Sequence, residues 1–496
     1  MVDSLDDAYA RLRATLSDRD DATLPPQASL DAGEASLPQE GGSAYLVGRG
    51  TRATLDHLLD DIVPALNGQS VGPRYYGFVT GGVLPVAEAA DNIVSALDQN
   101  VQVHLPDQSI STTVEDSALA MLVSLLELGP PADWPGRTIT TGATASNILG
   151  LACGREMVVA SRLPPHSSGA TVAKTGLLGA CLAAGVRQIQ VLTTMGHSSL
   201  SKAASVVGLG HDAVKELPVS EDEPWRLDLD AVERELARDG VASIIAVSAG
   251  EVNTGRFATN ALDMPKLRSL ADRYGAWIHV DGAFGLFARA LPPLDEFLGL
   301  RAQTAGLELA DSIAADGHKL LNVPYDAGIF FCRNQSILSS VFANPNAAYL
   351  ASQGGSKIPS PLNIGLENSR RFRALPVYAV LVSEGRDGIA QMLARQVRLA
   401  RRIAEFVRDS EDYEWLPDGD APLAHTNIVV LFGARDPRVN DDLVRRINQT
   451  RRIYVSGTRW KGRSACRLAV GSWRVDVERD FAVVNEVLTS VAKSPQ

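Results

Sequence analysis

Cysteine is scarce: Cys153, Cys181, Cys332 and Cys466 are spread through 496 residues, and none stands at metal-ligand spacing from another cysteine or a histidine. That pattern excludes a disulfide-stapled fold and a zinc module, so the thiols read as core residues and no metal is expected. Positive charge is also in deficit, with 47 Lys and Arg against 58 Asp and Glu and a net charge of −11. A nucleic-acid or anionic-membrane partner calls for a basic face, so neither is expected. No window reaches about 18 uninterrupted apolar residues. Met1-Val2-Asp3-Ser4-Leu5-Asp6-Asp7 is acidic where a secretory leader is basic and then apolar, so the chain reads as cytoplasmic.

What is present is enough apolar material, 45% of the residues, for a large core in two or more units. Apolar residues recur at helical spacing from Leu5 to Ser17. Asp18 to Gly42 is rich in Asp, Pro, Ser and Gly and reads as loop, and Ala53 to Leu66 reads as a helix with Pro64 near its end. From Thr138 to Cys332 strands alternate with helical patterns. Gln188 to Thr194, Ser243 to Ser248, Ile278 to Asp281 and Ile329 to Cys332 are strands, while Ile148 to Ala160 and Met264 to Gly275 are helices. Such alternation predicts a mostly parallel sheet covered on both faces, with its site at the carboxyl ends of the strands.

Chemistry gathers at those ends. Lys319 follows Asp316-Gly317-His318 and leads into an apolar run, and Asp281 closes a strand 38 positions upstream. A lone lysine is most often a solvated surface residue. A lysine paired with a strand-end carboxylate is what pyridoxal phosphate needs, the amine to hold the aldehyde and the carboxylate to keep the pyridine nitrogen protonated. Thr138 to Asn147 supplies small residues at a helix start, where backbone N–H groups and the helix dipole favour a phosphate. That loop lacks the G-x-G-x-x-G spacing of a nicotinamide site. His197, before Ser198-Ser199, reads locally as a helix cap.

With His279-Val280-Asp281 ahead of Ala310-Asp311-Ser312 and His318-Lys319, the chain resembles the group II pyridoxal-phosphate-dependent amino-acid decarboxylases, the aromatic-amino-acid, tyrosine and glutamate enzymes among them. The likeness runs from about Gly72 to Asp476. It implies the aminotransferase-like α/β fold (fold type I), with a flexible N-terminal arm over 1–70, a large cofactor domain with a seven-stranded-type sheet over 71–375, and a small α+β domain over 376–496. It also implies a homodimer with the site near the subunit interface.

By the same resemblance His197 stacks on the cofactor ring, Asp281 and Ala283 lie along it, and Gly142, Ala143, Thr144 and His318 hold the phosphate. Lys319 carries the aldehyde, and Tyr349, on a segment that reads as a lid, protonates the reacting carbon. Tyr75, Tyr76 and Phe78 line the substrate pocket, with His104 and Gln108 at its rim.

Two departures stand out. Glu251-Val252 replaces a threonine pair of the family's loop, and Phe78 stands where glutamate decarboxylases have glutamine. The aromatic cluster therefore points to an aromatic L-amino acid as substrate. Decarboxylation with oxidative release of an aldehyde, a carbon–carbon lyase and a non-catalytic binding descendant are the alternatives.

Overall fold

In the computed structural model, which describes residues 2–17, 22–43, 45–344, 357–417 and 422–493, Val241–Ser248 is buried at every position. A strand buried along its whole length must be covered on both faces, and this one lies inside the sheet. The large sheet is built from β1 Gly136–Thr140, β2 Gln188–Thr193, β3 Val214–Glu216, β4 Val241–Ser248, β5 Trp277–Asp281, β6 Ser312–Asp316 and β7 Gly328–Cys332. Their order is β1-β7-β6-β5-β4-β2-β3. Every pairing is parallel except those of β7, which runs antiparallel to both β1 and β6.

Strand alternation divides the apolar residues between two cores. Ile244, Ala246, Trp277 and Phe330 face the side covered by the Ala143–Ala160 helix. Ile245, Val247, Ile278, Val280, Ile313 and Phe331 face the opposite core. Register then aligns the strand ends: Ser248 pairs with Asp281, Asp281 with Ala314, and Asp316 with Gly328.

A second, fully antiparallel sheet has the order β10-β11-β9-β8, from β8 Tyr413–Leu416, β9 Val429–Ala434, β10 Ser456–Trp460 and β11 Arg463–Ala469. The segment Ala374–Asp409, helical on either side of a kink at Gly385, joins the two units. Leu393, Ala394 and Val397 belong to the large core, whereas Leu399, Ile403 and Val407 belong to the small one. The change of core thus falls inside this segment, beyond the 375/376 boundary expected from sequence. Tyr76 also joins the small core, because Tyr76 N donates to Tyr454 O at 2.8 Å and Ala469 N donates to Tyr76 O at 3.0 Å.

Three local expectations change. Gln27–Ser36 is a helix inside the stretch read as loop. Gly33 permits it, since a Cβ there would sit 2.8 Å from Ala65 Cβ in the neighbouring turn. The expected Ala53 to Leu66 helix is regular only over Thr51–His57. It widens over Leu58–Ile62 and tightens over Val63–Ala65, where Pro64 has no N–H to continue the ladder. The Ala143–Ala160 helix begins five residues before Ile148, because Ser146 and Asn147 find partners on neighbouring strands instead of forming a loop.

Gly150 lets that helix approach β5, and a Cβ built on it would overlap the ring of His279. Gly150→Ala should therefore destabilise the large unit by about 1–3 kcal/mol through overpacking, read as a lower urea midpoint. An unchanged midpoint would show that helix and strand are not held this closely.

Candidate active site

β5 ends on Asp281, and the side chains behind it set its position. Asn147 Nδ2 donates to Asp281 Oδ2 at 2.9 Å, and Ala283 N approaches Oδ1 at 3.4 Å. Because the Asn147 amide donates to the carboxylate, its Oδ1 accepts from His279 Nε2 at 2.9 Å. His279 Nδ1 then accepts from Ser312 Oγ at 2.8 Å, and Ser312 Oγ in turn accepts from Trp277 Nε1 at 3.0 Å. Burial pushes His279 down to about 4, so its ring stays neutral and the chain of bonds keeps one direction.

His197 caps the Ser198–Val206 helix. Its Nδ1 accepts from Ser199 N at 3.1 Å and lies 2.7 Å from Ser199 Oγ, which also accepts from Asn147 Nδ2 at 3.3 Å. Burial lowers its pKa, against the opposing pull of Asp281. The local reading as a helix cap and a ring facing the cavity are both satisfied.

Lys319 sits on a one-turn helix, Gly317–Leu320, directly after β6. Its Nζ lies 2.8 Å from Asp316 Oδ2 and 6.0 Å from the Phe284 ring centroid. Asp316 Oδ1 accepts from Ala143 N at 2.6 Å, so one buried carboxylate joins the lysine to the first residue of the Ala143–Ala160 helix. His318 Nδ1 accepts from Ala327 N at 3.2 Å, its ring lies 4.5 Å from Tyr325, and burial lowers its pKa.

Asn322, with φ 55°, pins the lysine turn to the small unit. Its Nδ2 donates to Lys319 O at 3.3 Å and Gly471 O at 3.0 Å, while its Oδ1 accepts from Trp473 N at 2.8 Å.

A cavity of about 740 Å³ collects Thr141 to Ala145, His197, Asp281, Ala283, Phe284, Asp316, His318, Lys319, Tyr325 and Phe78, with Ser456 to Thr458 and Arg467 from the small unit. Arg467 donates from Nε to Val252 O and from Nη1 to Phe78 O. Its buried Nη2 has no hydrogen-bond partner among the described residues. Burial pushes this guanidinium down to about 10, with Glu251 opposing the fall. Glu251 itself turns inward and accepts from Asn253 N at 2.8 Å and from the amide and hydroxyl of Thr254, so it builds its own loop.

Lys319, Asp281, His197, Gly142, Ala143, Thr144, Ala283, His318 and Phe78 are thus brought together. Phe78 is 64% exposed, with φ 60°, and its N donates to Ser456 Oγ at 2.8 Å. Tyr75, Tyr76 and His104 do not reach the cavity within this chain. Tyr75 stacks on Tyr454 with centroids 4.4 Å apart, Tyr76 is fully buried in the small core, and His104 is buried with Nδ1 2.7 Å from Thr112 Oγ1. Gln108 is exposed and absent from the cavity lining. Tyr349 lies outside the described residues.

Nothing in the local sequence marks Asn147, Asp316, Asn322 or Arg467 as part of a site. The one available signal was polar residues beside apolar strand ends.

These residues fit pyridoxal phosphate. An amine, an oriented carboxylate and a helix N-terminus lined by small residues stand around one cavity of suitable size, and the side chain behind the carboxylate is itself fixed. Lys319 would hold the aldehyde, Asp281 the ring nitrogen, and the Gly142 to Thr144 turn the phosphate. Among the described residues no group of His, Cys, Asp and Glu is arranged to hold a metal ion.

Comparison with known proteins points the same way. The pyridoxal-dependent decarboxylase conserved domain matches residues 88–425. The chain is 27% identical over 285 residues to the L-2,4-diaminobutyrate decarboxylase of Acinetobacter baumannii, covering 56% of this chain and 52% of that protein. It is 27% identical over 382 residues to the aspartate 1-decarboxylase of Aliivibrio fischeri, covering 74% and 66%. It is 24% identical over 428 residues to tryptophan decarboxylase 1 of Oryza sativa subsp. japonica, covering 84% and 80%. The chain therefore spans about half to two thirds of the first two relatives.

The crystal structure of Oryza sativa TDC with PLP and tryptamine superposes with a TM-score of 0.80 at 21% identity over 99% of this chain and 98% of that one, a likeness of fold. With the family's domain matched across residues 88–425, this chain belongs to the pyridoxal-dependent decarboxylases.

Proposed function

We propose that the chain is a pyridoxal-phosphate-dependent carboxy-lyase that converts an aromatic L-amino acid to its amine and CO₂. The observation that carries the reading is the cavity lined by both Lys319 and Asp281, the latter held by Asn147. The bound cofactor supplies an electron sink for the bond that breaks.

The chain's residues do the rest. Asp281, fixed from behind by Asn147 and neutral His279, keeps a proton on the ring nitrogen. His197 offers a flat, neutral ring whose Nδ1 is already occupied by the helix it caps. Lys319 Nζ accepts and returns the amine-side proton, and residues of both units form the cavity wall. The proton that replaces CO₂ is assigned to the Tyr349 hydroxyl.

Phe78, Phe284 and Tyr325 in the wall support an aromatic side chain, even though Tyr75 and Tyr76 are turned away. A second reading rests on Arg467. Its unpartnered Nη2 would take a carboxylate, which favours an amino acid with an acidic side chain.

Ile93, Leu97, Ile110 and Leu366 are exposed apolar side chains and support a homodimer. No helix among the described residues is long and apolar enough to cross a membrane.

An amino-acid screen for CO₂ release with product identification should show aromatic L-amino acids turned over to amines. Preference for aspartate or glutamate, lost in Arg467→Met, would establish the second reading, and aldehyde with ammonia and peroxide would establish the oxidative course.

Lys319→Ala should release no CO₂ and trap no cofactor on borohydride reduction. A full-stoichiometry trapped lysine in that variant would place the linkage elsewhere.

Asn147→Ala removes a hydrogen bond to a charged group, of the order of 1.5–3 kcal/mol, so turnover should fall about 10- to 100-fold with cofactor still bound. Undiminished turnover would mean that Asp281 needs no support from behind.

A further inference from the structure

The anion position of this site already carries a negative charge of the chain's own. Asp316 is 2% exposed. Its Oδ1 accepts from Ala143 N, the first amide of an 18-residue helix, at 2.6 Å. Its Oδ2 pairs with Lys319 Nζ at 2.8 Å. His318 Nε2 is 3.7 Å from Oδ1, but burial lowers that imidazole's pKa, so it contributes little countercharge. A Cβ on Gly142 would lie 3.7 Å from the same oxygen, so the carboxylate stands against the turn assigned to the phosphate.

Two costs follow for a cofactor entering here. Its phosphate must share the helix N-terminus with a fixed carboxylate of like charge. Lys319 must also leave its ion pair and give up a proton before it can bond to the aldehyde, which leaves Asp316 without its nearest cation. An asparagine at this position would keep an acceptor for Ala143 N and turn a donor toward the phosphate.

We propose that Asp316 sets how tightly the chain holds its cofactor. It closes the phosphate position and pairs with Lys319, so that loading is reversible. This rests on the pyridoxal phosphate reading above.

The test uses the full chain stripped of cofactor, titrated with pyridoxal phosphate and separately with pyridoxal, and followed by the absorbance of the lysine-linked aldehyde. The ratio of the two affinities isolates the phosphate's contribution, because the change at Lys319 is common to both. Asp316→Asn should raise that ratio about tenfold, as for loss of one close like charge, and Asp316→Glu should leave it near the wild-type value. Thermal melts of each apo variant separate a binding change from loss of fold. Should Asp316→Asn misfold, Asp316→Ser carries the same expectation. A ratio unchanged or lowered in the folded neutral variant overturns the proposal. A wild-type chain that binds neither compound overturns the cofactor reading itself.

Discussion

The side-chain amide of Asn147 is the contact on which the site depends. It is shared between Asp281 and His279, 134 and 132 positions away. Asn147 and His279 are removed from water, where an unsatisfied polar atom costs about 1–3 kcal/mol, so the network is stable only when its buried members are paired. Its direction is imposed by burial: His279 cannot hold a second proton, Ser312 must donate to it, and Asn147 must present its amino group to the carboxylate. The close helix-to-strand approach at Gly150 makes the geometry possible.

A second constraint links the lysine to the small unit. Asn322 adopts a left-handed backbone and hydrogen-bonds both to the carbonyl of Lys319 and to the backbone of Gly471 and Trp473. Arg467, from the same small sheet, reaches across to Val252 and Phe78. The cavity therefore exists only when the two sheets are docked, and the Ala374–Asp409 segment, which belongs to both cores, keeps them so.

Departures from the family pattern find physical meaning in these surroundings. Glu251, in place of a threonine, does not face the cavity. It folds back on the amides of Asn253 and Thr254 and lends its field to Arg467, so the loop is held from within.

By itself the sequence determined most of the strand and helix order and singled out Lys319, Asp281 and the Gly142 turn as candidates, because period-2 and period-3.6 patterns and small-residue helix starts are local properties. It did not determine which polar groups meet. Asn147 and His279 were legible only as a loop residue and a strand residue, and their pairing is set by the register of β5 and β6 beneath the helix. Nor did it determine where neighbouring aromatics point. Tyr76 is drawn into the small unit by backbone bonds to Tyr454 and Ala469 and Tyr75 by stacking on the Tyr454 ring, while Phe78 alone of the three lines the cavity. Those choices belong to tertiary structure, since a polar group or an aromatic ring takes its role from partners that only docking of distant segments supplies.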